Sequence, residues 1–320
     1  MTDWLGRYAV VVPGGAGLKG VACMVAGCAV VTLNDAILKW LTSDLPVGEI
    51  MCLRGVFVFL PVLLLAAHEG GLHRLKVRSP RGQGLRAAIV VAGMFLFITG
   101  LGFLPIAEAI ALTFASPLFA TALAVPLLGE KVGWRRWTAV GAGLVGVVVM
   151  LRPGADAFVL AALLPLGSAV TGACRDIVTR RLSVSDSSSS ILMVTTVAVT
   201  LAGAVTVPFG WQTPSWQEIG LLALAGFLLG AAQYLMIEAV RHAEIGLVAP
   251  FKYTSLIWAV LAGYLVFGSV PDRWVMAGAA LVIVSGLYIL HRESRLGRAN
   301  RTVPGKLETV PLDDGVAREL

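Results

Sequence analysis

A lysine, Lys252, lies inside the otherwise apolar or weakly polar segment APFKYTSLIW. A lysine at the centre of a bilayer helix costs about 3 kcal/mol on insertion scales, so it needs a partner or a function. Tyr253 and Ser255 follow it closely and give the segment a polar cluster. We expect these three side chains to bind a substrate, with Lys252 on an acidic or carbonyl group and paired with Glu238 when the site is empty.

An arginine, Arg54, lies about six residues into a long apolar run, or roughly 9 Å along a helix. A guanidinium at that depth can bind a carboxylate or phosphate, and Gln233 and Tyr234 can hydrogen-bond a ligand from another apolar run. We therefore add these three residues to the predicted substrate site. The alternative for Arg54 and Lys252 is that each only extends along its helix towards lipid headgroups or pairs with a neighbouring carboxylate.

Three acidic residues lie near the ends of apolar runs and are candidates for gating or proton coupling: Asp35, Asp176 and Glu238. Asp35 and Asp176 each precede a base by four residues, namely Lys39 and Arg180, which is the favourable order for an ion pair on a helix. Glu238 likewise has basic residues three and four positions later. A local ion pair is therefore the alternative to a transport role for all three.

The composition indicates a polytopic membrane protein. The chain has 320 residues, of which 57% are hydrophobic and 14% charged, whereas soluble domains carry about 25% charged residues. The net charge of +6 does not predict nucleic-acid binding, because the basic residues fall in short loops and the tail. The four cysteines form no CxxC pair, and HExxH and GxSxG motifs are missing, so we predict no metal, no cofactor and no catalytic residue.

The elements that must position these residues are ten apolar runs long enough to span a bilayer. Short joins with turn signals, such as LRPGAD and GSVPDRW, separate them. We predict an all-α protein with spans near 18–40, 48–67, 84–104, 106–128, 134–151, 157–180, 190–209, 216–240, 245–268 and 274–291.

The basic residues also predict the orientation of the spans. Of the 25 Lys and Arg residues, 19 fall at one predicted face of the membrane, three at the other and three within spans. Because basic loops stay inside the cell, both termini are expected in the cytoplasm of a bacterium, with the protein in its inner membrane. Residues 1–17 are the predicted cytoplasmic N-terminus, and residues 292–320 read as a flexible cytoplasmic tail.

The chain repeats itself. FASPLFATALAVPLLG matches YTSLIWAVLAGYLVFG, RRWTAVGAGLV matches DRWVMAGAALV, and NDAILKWL matches RDIVTRRL, in the same order in each half. The two units are residues 18–151 and 157–291, with five spans each. Because five is odd, the second unit enters the membrane in the opposite sense, which gives the inverted repeat found in secondary transporters.

The segment ASPLFATALAVPLLGEKVGWRRWTAVGAGLVGVVVMLRPG resembles the signature region of the EamA-type drug/metabolite transporter superfamily, and NDAILKWL and CLRGVF are similar in style. The resemblance covers about residues 18–290. The second unit departs from the pattern, with Ser269 where Glu130 stands in the first. The resemblance implies a ten-helix transporter without ATPase machinery, from a superfamily that moves amino acids, nucleotide sugars, vitamins, cofactors and drugs.

Together these features predict a secondary transporter that moves a small polar metabolite across the lipid bilayer by alternating access. The resemblance implies a vitamin-, cofactor- or amino-acid-like substrate, for example S-adenosylmethionine or riboflavin. We expect an ion gradient, with the proton as the coupling ion, to drive a monomer or homodimer. An amino-acid or drug exporter of the same fold is the alternative, followed by a membrane-embedded enzyme or a channel.

Overall fold

A computed structural model describes residues 14–68, 71, 75–128, 134–151, 156–182, 186–243 and 245–301. All regular structure in these ranges is helical. Seven of the helices are long and apolar enough to cross a membrane, and three shorter apolar helices complete ten spans. The prediction of an all-α membrane protein is therefore confirmed.

The helices follow the predicted spans closely. We number them in chain order as α1 (Gly14–Leu41), α2 (Val47–His68), α3 (Pro80–Phe103), α4 (Ile106–Thr113), α5 (Ser116–Leu128), α6 (Trp134–Leu151), α7 (Asp156–Leu182), α8 (Ser188–Ala204), α9 (Trp216–His242), α10 (Ile245–Val248), α11 (Thr254–Phe267) and α12 (Arg273–Arg301).

The fourth and ninth spans are each divided, although a continuous helix was predicted for both. The fourth breaks at Phe114 and Ala115, between α4 and α5, and the ninth passes through a 3₁₀ turn at Ala249–Tyr253, between α10 and α11. A proline lies at each break, Pro117 in one and Pro250 in the other. Because proline has no backbone N–H to donate to the preceding turn, it interrupts the α-helical hydrogen bonds there.

Two ends of the predicted spans differ from the structure. α3 begins at Pro80, four residues earlier than expected. α12 continues to Arg301, whereas a flexible tail was predicted from about residue 292. The rest of that predicted tail, 302–320, and most of the predicted N-terminal segment lie outside the described residues.

The packing of the helices respects the repeat. α1 packs on α9 as α7 packs on α3, and α2 packs on α9 as α8 packs on α3. In the same way, α1 packs on α11 in the ninth span, and α7 packs on α4 and α5 in the fourth. Two pairs of corresponding spans also pack directly on each other: α2 on α8, and α6 on α12. This pattern is the one expected when a pseudo-two-fold axis relates the halves, which supports the predicted inverted repeat.

The two ends of the bundle are packed differently. At the end where α1 finishes and α2 starts, here called the closed end, side chains of α1, α2 and α4 form a dry core. Leu38, Leu41, Ile50, Met51 and Ile106 are each no more than 1% exposed there. The opposite end, where α1 begins and α2 finishes, is called the basic end, because most of the lysines and arginines were assigned to it.

Candidate functional site

A cavity of about 340 Å³ lies between α1, α2, α3, α7, α8 and α9. It reaches from Leu65 and Arg86, within about two turns of the basic end, to Asp35 and Arg54, within about two turns of the closed end. Its walls are mainly apolar. The polar side chains that line it are Asn34, Asp35, Arg54, Arg86, Arg175, Thr195, Thr196 and Gln233.

The deep part of the cavity contains a buried guanidinium. The Arg54 residue is 2% exposed, and its NH2 group lies 3.3 Å from the Met94 sulfur. Its Nε has no hydrogen-bond partner. A buried N–H that makes no hydrogen bond is destabilising, and a ligand in the cavity can supply the missing acceptor.

Asn34 lines the same cavity, and only one end of its side-chain amide has a hydrogen-bond partner. Asn34 is 1% exposed and donates from Nδ2 to the Asp35 carboxylate at 2.9 Å. An ionised carboxylate only accepts hydrogen bonds, so this contact fixes which end of the amide faces it. The Asn34 Oδ1 atom is left buried without a partner. The deep part of the cavity therefore offers a ligand one free donor and one free acceptor.

A second arginine, Arg86, lies nearer the mouth of the cavity. Arg86 donates from Nε to the Thr179 hydroxyl at 2.7 Å and from NH1 to the Thr195 hydroxyl at 2.6 Å. The Arg175 guanidinium contacts the Asp176 carboxylate at 2.8 Å and is 43% exposed. Both hydrogen bonds of Arg86 are thus made to threonines of α7 and α8, so its guanidinium faces the interior of the bundle.

The structure brings together three of the nine predicted site residues. Asp35, Arg54 and Gln233 all line the cavity. Asp176 lies at its mouth, where it contacts the lining Arg175. The predicted pairing of Asp176 with Arg180 lies outside the described residues, because the Arg180 side chain is not described.

Lys252 and its neighbours lie elsewhere. Lys252 is exposed and does not line the cavity, and its carbonyl accepts from the Ser255 hydroxyl at 2.6 Å. The Tyr253 ring packs edge-on against Phe114, with ring centroids 5.0 Å apart. Lys252 and Tyr253 both belong to the 3₁₀ turn Ala249–Tyr253. The contact of this segment with a substrate stays a prediction.

Glu238 and Tyr234 also lie away from the cavity lining. Glu238 contacts Arg241 at 2.7 Å and His242 at 3.5 Å, so its pairing is within α9 and the predicted pairing with Lys252 is wrong in this conformation. Residues three and four positions apart on a helix are close neighbours, which explains this local choice. Tyr234 is 41% exposed and its ring lies near His68.

At the closed end, Lys39 does not form the predicted ion pair with Asp35. Its Nζ donates to the carbonyl oxygens of Leu101 and Leu104, at 2.8 and 2.7 Å. These carbonyls belong to the last turn of α3 and the residue that follows it, where helix carbonyls lack partners and a cation is favourable. Lys39 thus joins α1 to the end of α3.

The sequence did not identify Asn34, Arg86 and Arg175 as residues that line the cavity. For Arg86 a signal was present. Arg86, Val90, Met94 and Phe97 follow one another at helical spacing, and all four line the cavity. The predicted span near 84–104 contains all four residues, so their spacing alone places Arg86 on the same helix face as the other three.

The charges in the cavity are unbalanced. Three arginines, Arg54, Arg86 and Arg175, line it against one carboxylate, Asp35. Asp176 offsets one of these arginines, because it contacts Arg175 at 2.8 Å, whereas Lys252 and Glu238 lie away from the lining. The cavity and its mouth therefore keep an excess of one positive charge, which favours electron-rich or anionic ligands over cations.

The chain matches the EamA-like transporter family twice, over residues 18–152 and 159–291. It is 36% identical to a riboflavin transporter of Vibrio cholerae over 68% of this chain and 74% of that protein. It is 32% identical to a riboflavin transporter of Rhizobium johnstonii, with 87% and 93% of the two chains covered.

Two further comparisons extend over most of the chain. A Rickettsia prowazekii S-adenosylmethionine uptake transporter is 28% identical, with 87% of this chain and 94% of that protein covered. A solved crystal structure shares the fold with a TM-score of 0.61 at 19% identity, covering 88% of this chain and 98% of that chain. The relatives therefore agree on transport and differ in the substrate that they carry.

Proposed function

The chain belongs to the EamA-like transporter family, and from this premise we propose that it carries riboflavin, or a closely similar flavin, through the cavity between its two halves. One observation supports this most: the unsatisfied Arg54 Nε and Asn34 Oδ1 in the deep part of the cavity. The imide edge of a flavin ring carries an N–H flanked by two carbonyl oxygens, so it can satisfy both atoms. Gln233 lines the same cavity and can bond the ring edge as well.

The shape and lining of the cavity support a planar aromatic substrate. Phe97, Met94 and Val58 contribute apolar surface on which a ring system can pack. The volume of about 340 Å³ lies within the usual range for small-molecule sites. A few polar groups in an apolar cavity fix the orientation of a ligand, which is the arrangement seen around Arg54.

The charge of the cavity favours riboflavin over S-adenosylmethionine. A sulfonium cation would enter a site that has an excess of one positive charge once Asp176 is counted against Arg175, and like charges oppose binding. A flavin is neutral and has several carbonyl and ring-nitrogen acceptors. The identities of 36% and 32% to riboflavin transporters point in the same direction.

Alternating access and ion coupling form the mechanistic part of the proposal. The cavity extends towards the basic end and is separated from the closed end by the dry core around Leu38 and Ile50. The positive-inside rule assigns the basic end to the cytoplasm, so this conformation faces inward. Asp35, within hydrogen-bond distance of Asn34, is the carboxylate we propose for proton coupling.

Counterflow in liposomes tests the substrate. Purified protein is reconstituted into vesicles loaded with unlabelled riboflavin, and radiolabelled riboflavin is added outside. We expect transient accumulation of label that saturates with concentration, and no such accumulation in a parallel assay with S-adenosylmethionine on both sides. Accumulation of S-adenosylmethionine without that of riboflavin would reverse the assignment, and unsaturable flux would indicate a channel.

A further inference from the structure

We propose that Arg86, held in place by Thr179 and Thr195, forms a second binding subsite, at the mouth of the cavity, for an anionic group such as a phosphate monoester. The ligand is then an elongated molecule with its ring at Arg54 and its anionic group at Arg86. The inference rests on the proposed function, because it assigns a second contact to a ligand in the same cavity.

The threonines orient Arg86 without neutralising its charge. Thr179 donates its hydroxyl proton to the Arg175 carbonyl at 2.6 Å, and Thr195 donates to the Ile191 carbonyl at 2.6 Å. Each hydroxyl therefore offers only lone pairs to the guanidinium. Two of the five N–H groups of Arg86 are used in this way, and three remain for a ligand.

The carboxylate of Asp176, near the subsite, is already paired with another arginine. Asp176 contacts Arg175 through one carboxylate oxygen, at 2.9 Å from Nε and 2.8 Å from NH2. Within the part of the chain that the structure describes, Arg86 forms no ion pair with a carboxylate. A fixed, partly buried guanidinium with no carboxylate in direct contact is a good partner for an anion, because charge-assisted bonds to arginine are strong.

The position of Arg86 fits one ligand that reaches both arginines. Arg54 contacts Met94, and Met94 lies eight residues beyond Arg86 on α3, or about 12 Å along the helix. Both arginines line one cavity. The bonds of Arg86 to α7 and α8 hold it towards the interior of the bundle, so a lipid headgroup is a poorer partner than a solute inside the cavity.

Flavin fluorescence provides a binding assay that does not depend on transport. The purified chain, in a neutral detergent without anionic lipid, is titrated with riboflavin and with riboflavin 5′-phosphate, which differ only in the phosphate group. We expect the phosphate ester to bind about tenfold more tightly, as a charge-assisted contact to one arginine implies. Arg86→Gln should bring the ratio of the two affinities close to one, and Arg86→Lys should keep part of the preference.

Lys76→Gln is the matched control, because it removes one positive charge from the exposed segment just before α3. The control should keep the full preference for the phosphate ester. If the wild-type chain binds riboflavin but shows no preference, the subsite is wrong and the proposed function stands. A preference that survives Arg86→Gln also contradicts the subsite, and failure of both flavins to bind overturns the subsite and the proposed function together.

Discussion

At the scale of single residues, two side chains that line the cavity each bury a polar atom without a hydrogen-bond partner, namely Arg54 Nε and Asn34 Oδ1. Each unsatisfied buried group of this kind costs about 1–3 kcal/mol. A bound ligand satisfies them, so the cost of the empty state favours ligand binding.

Asp35 is the residue whose neutralisation should separate coupling from binding. In Asp35→Asn the side chain can still accept from Asn34, but it can no longer take up and release a proton. We expect uptake driven by an imposed proton gradient to be lost, while counterflow of riboflavin continues. The measurement compares gradient-driven accumulation and counterflow in the same vesicles.

Asp176→Asn is the comparison for Asp35→Asn, because Asp176 is exposed and paired with Arg175 at the mouth of the cavity. It should retain most of the gradient-driven uptake. If Asp35→Asn accumulates riboflavin as the wild type does, the proton role of Asp35 is wrong. If the wild type itself only equilibrates the solute, the protein is a facilitator.

At the scale of helices, close approach between backbones holds the spans together. A Cβ atom added to Gly146 in α6 would lie 2.8 Å from the Gly278 carbonyl oxygen, and one added to Gly278 in α12 would lie 2.5 Å from the Gly146 carbonyl oxygen. Small residues at such contacts allow helices to pack closely in a membrane, where no hydrophobic effect drives their association. α6 and α12 are corresponding spans of the two units, so this contact joins the halves.

Gly146→Val should separate α6 from α12 and lower the free energy of unfolding by about 1–3 kcal/mol, as overpacking usually does. Gly141→Val is the control on the same helix, because a Cβ at Gly141 meets nothing within 4 Å. Thermal unfolding in detergent compares the two variants. Equal melting temperatures would show that the contact between α6 and α12 does not contribute to stability.

Lys39 joins two helices at the closed end. Lys39→Met removes the two hydrogen bonds to the end of α3 and the favourable charge at its C-terminus, so we expect a loss of about 1–2 kcal/mol in stability. Lys19→Met alters an exposed lysine near the start of α1 and should leave the melting temperature unchanged. A Lys39→Met variant as stable as the Lys19→Met control would contradict this role.

The sequence predicted the helices well because long apolar runs and short turn-rich joins are strong local signals. It did not predict where the fourth and ninth spans break. A proline alone does not determine such a break, because Pro61 and Pro165 lie inside unbroken helices. It found Arg54 and Asp35 because charges in apolar runs are conspicuous. It assigned Lys252 to the site on the same ground, but the direction of that side chain depends on a 3₁₀ turn that no local pattern reveals.

At the scale of the whole molecule, two units of five spans pack around a pseudo-two-fold axis. Phe114 and Tyr253 occupy matching positions in the two units, at the breaks of the fourth and ninth spans, and their rings contact each other. The halves thus meet through equivalent elements. An inverted repeat of this kind allows each half to adopt the arrangement of the other, which would transfer access from the basic end to the closed end.

The uneven distribution of basic residues predicts that the basic end and both termini face the cytoplasm. Alkaline phosphatase is active only outside the cytoplasm, so fusions at His73 and Arg295 should be inactive. A fusion at Gln212, in the segment between α8 and α9, should be active. Activity of the fusion at His73 would reverse the topology and place the mouth of the cavity outside the cell.

The most direct test of the central claim, that a flavin binds in the cavity around Arg54, is riboflavin counterflow with two single variants. Arg54→Gln removes a charge from the cavity, whereas Lys252→Met removes a charge from an exposed position that does not line it. We expect Arg54→Gln to lower riboflavin affinity about tenfold or more and Lys252→Met to transport like the wild type. Normal transport by Arg54→Gln together with loss of transport in Lys252→Met would contradict the claim and move the site to the ninth span.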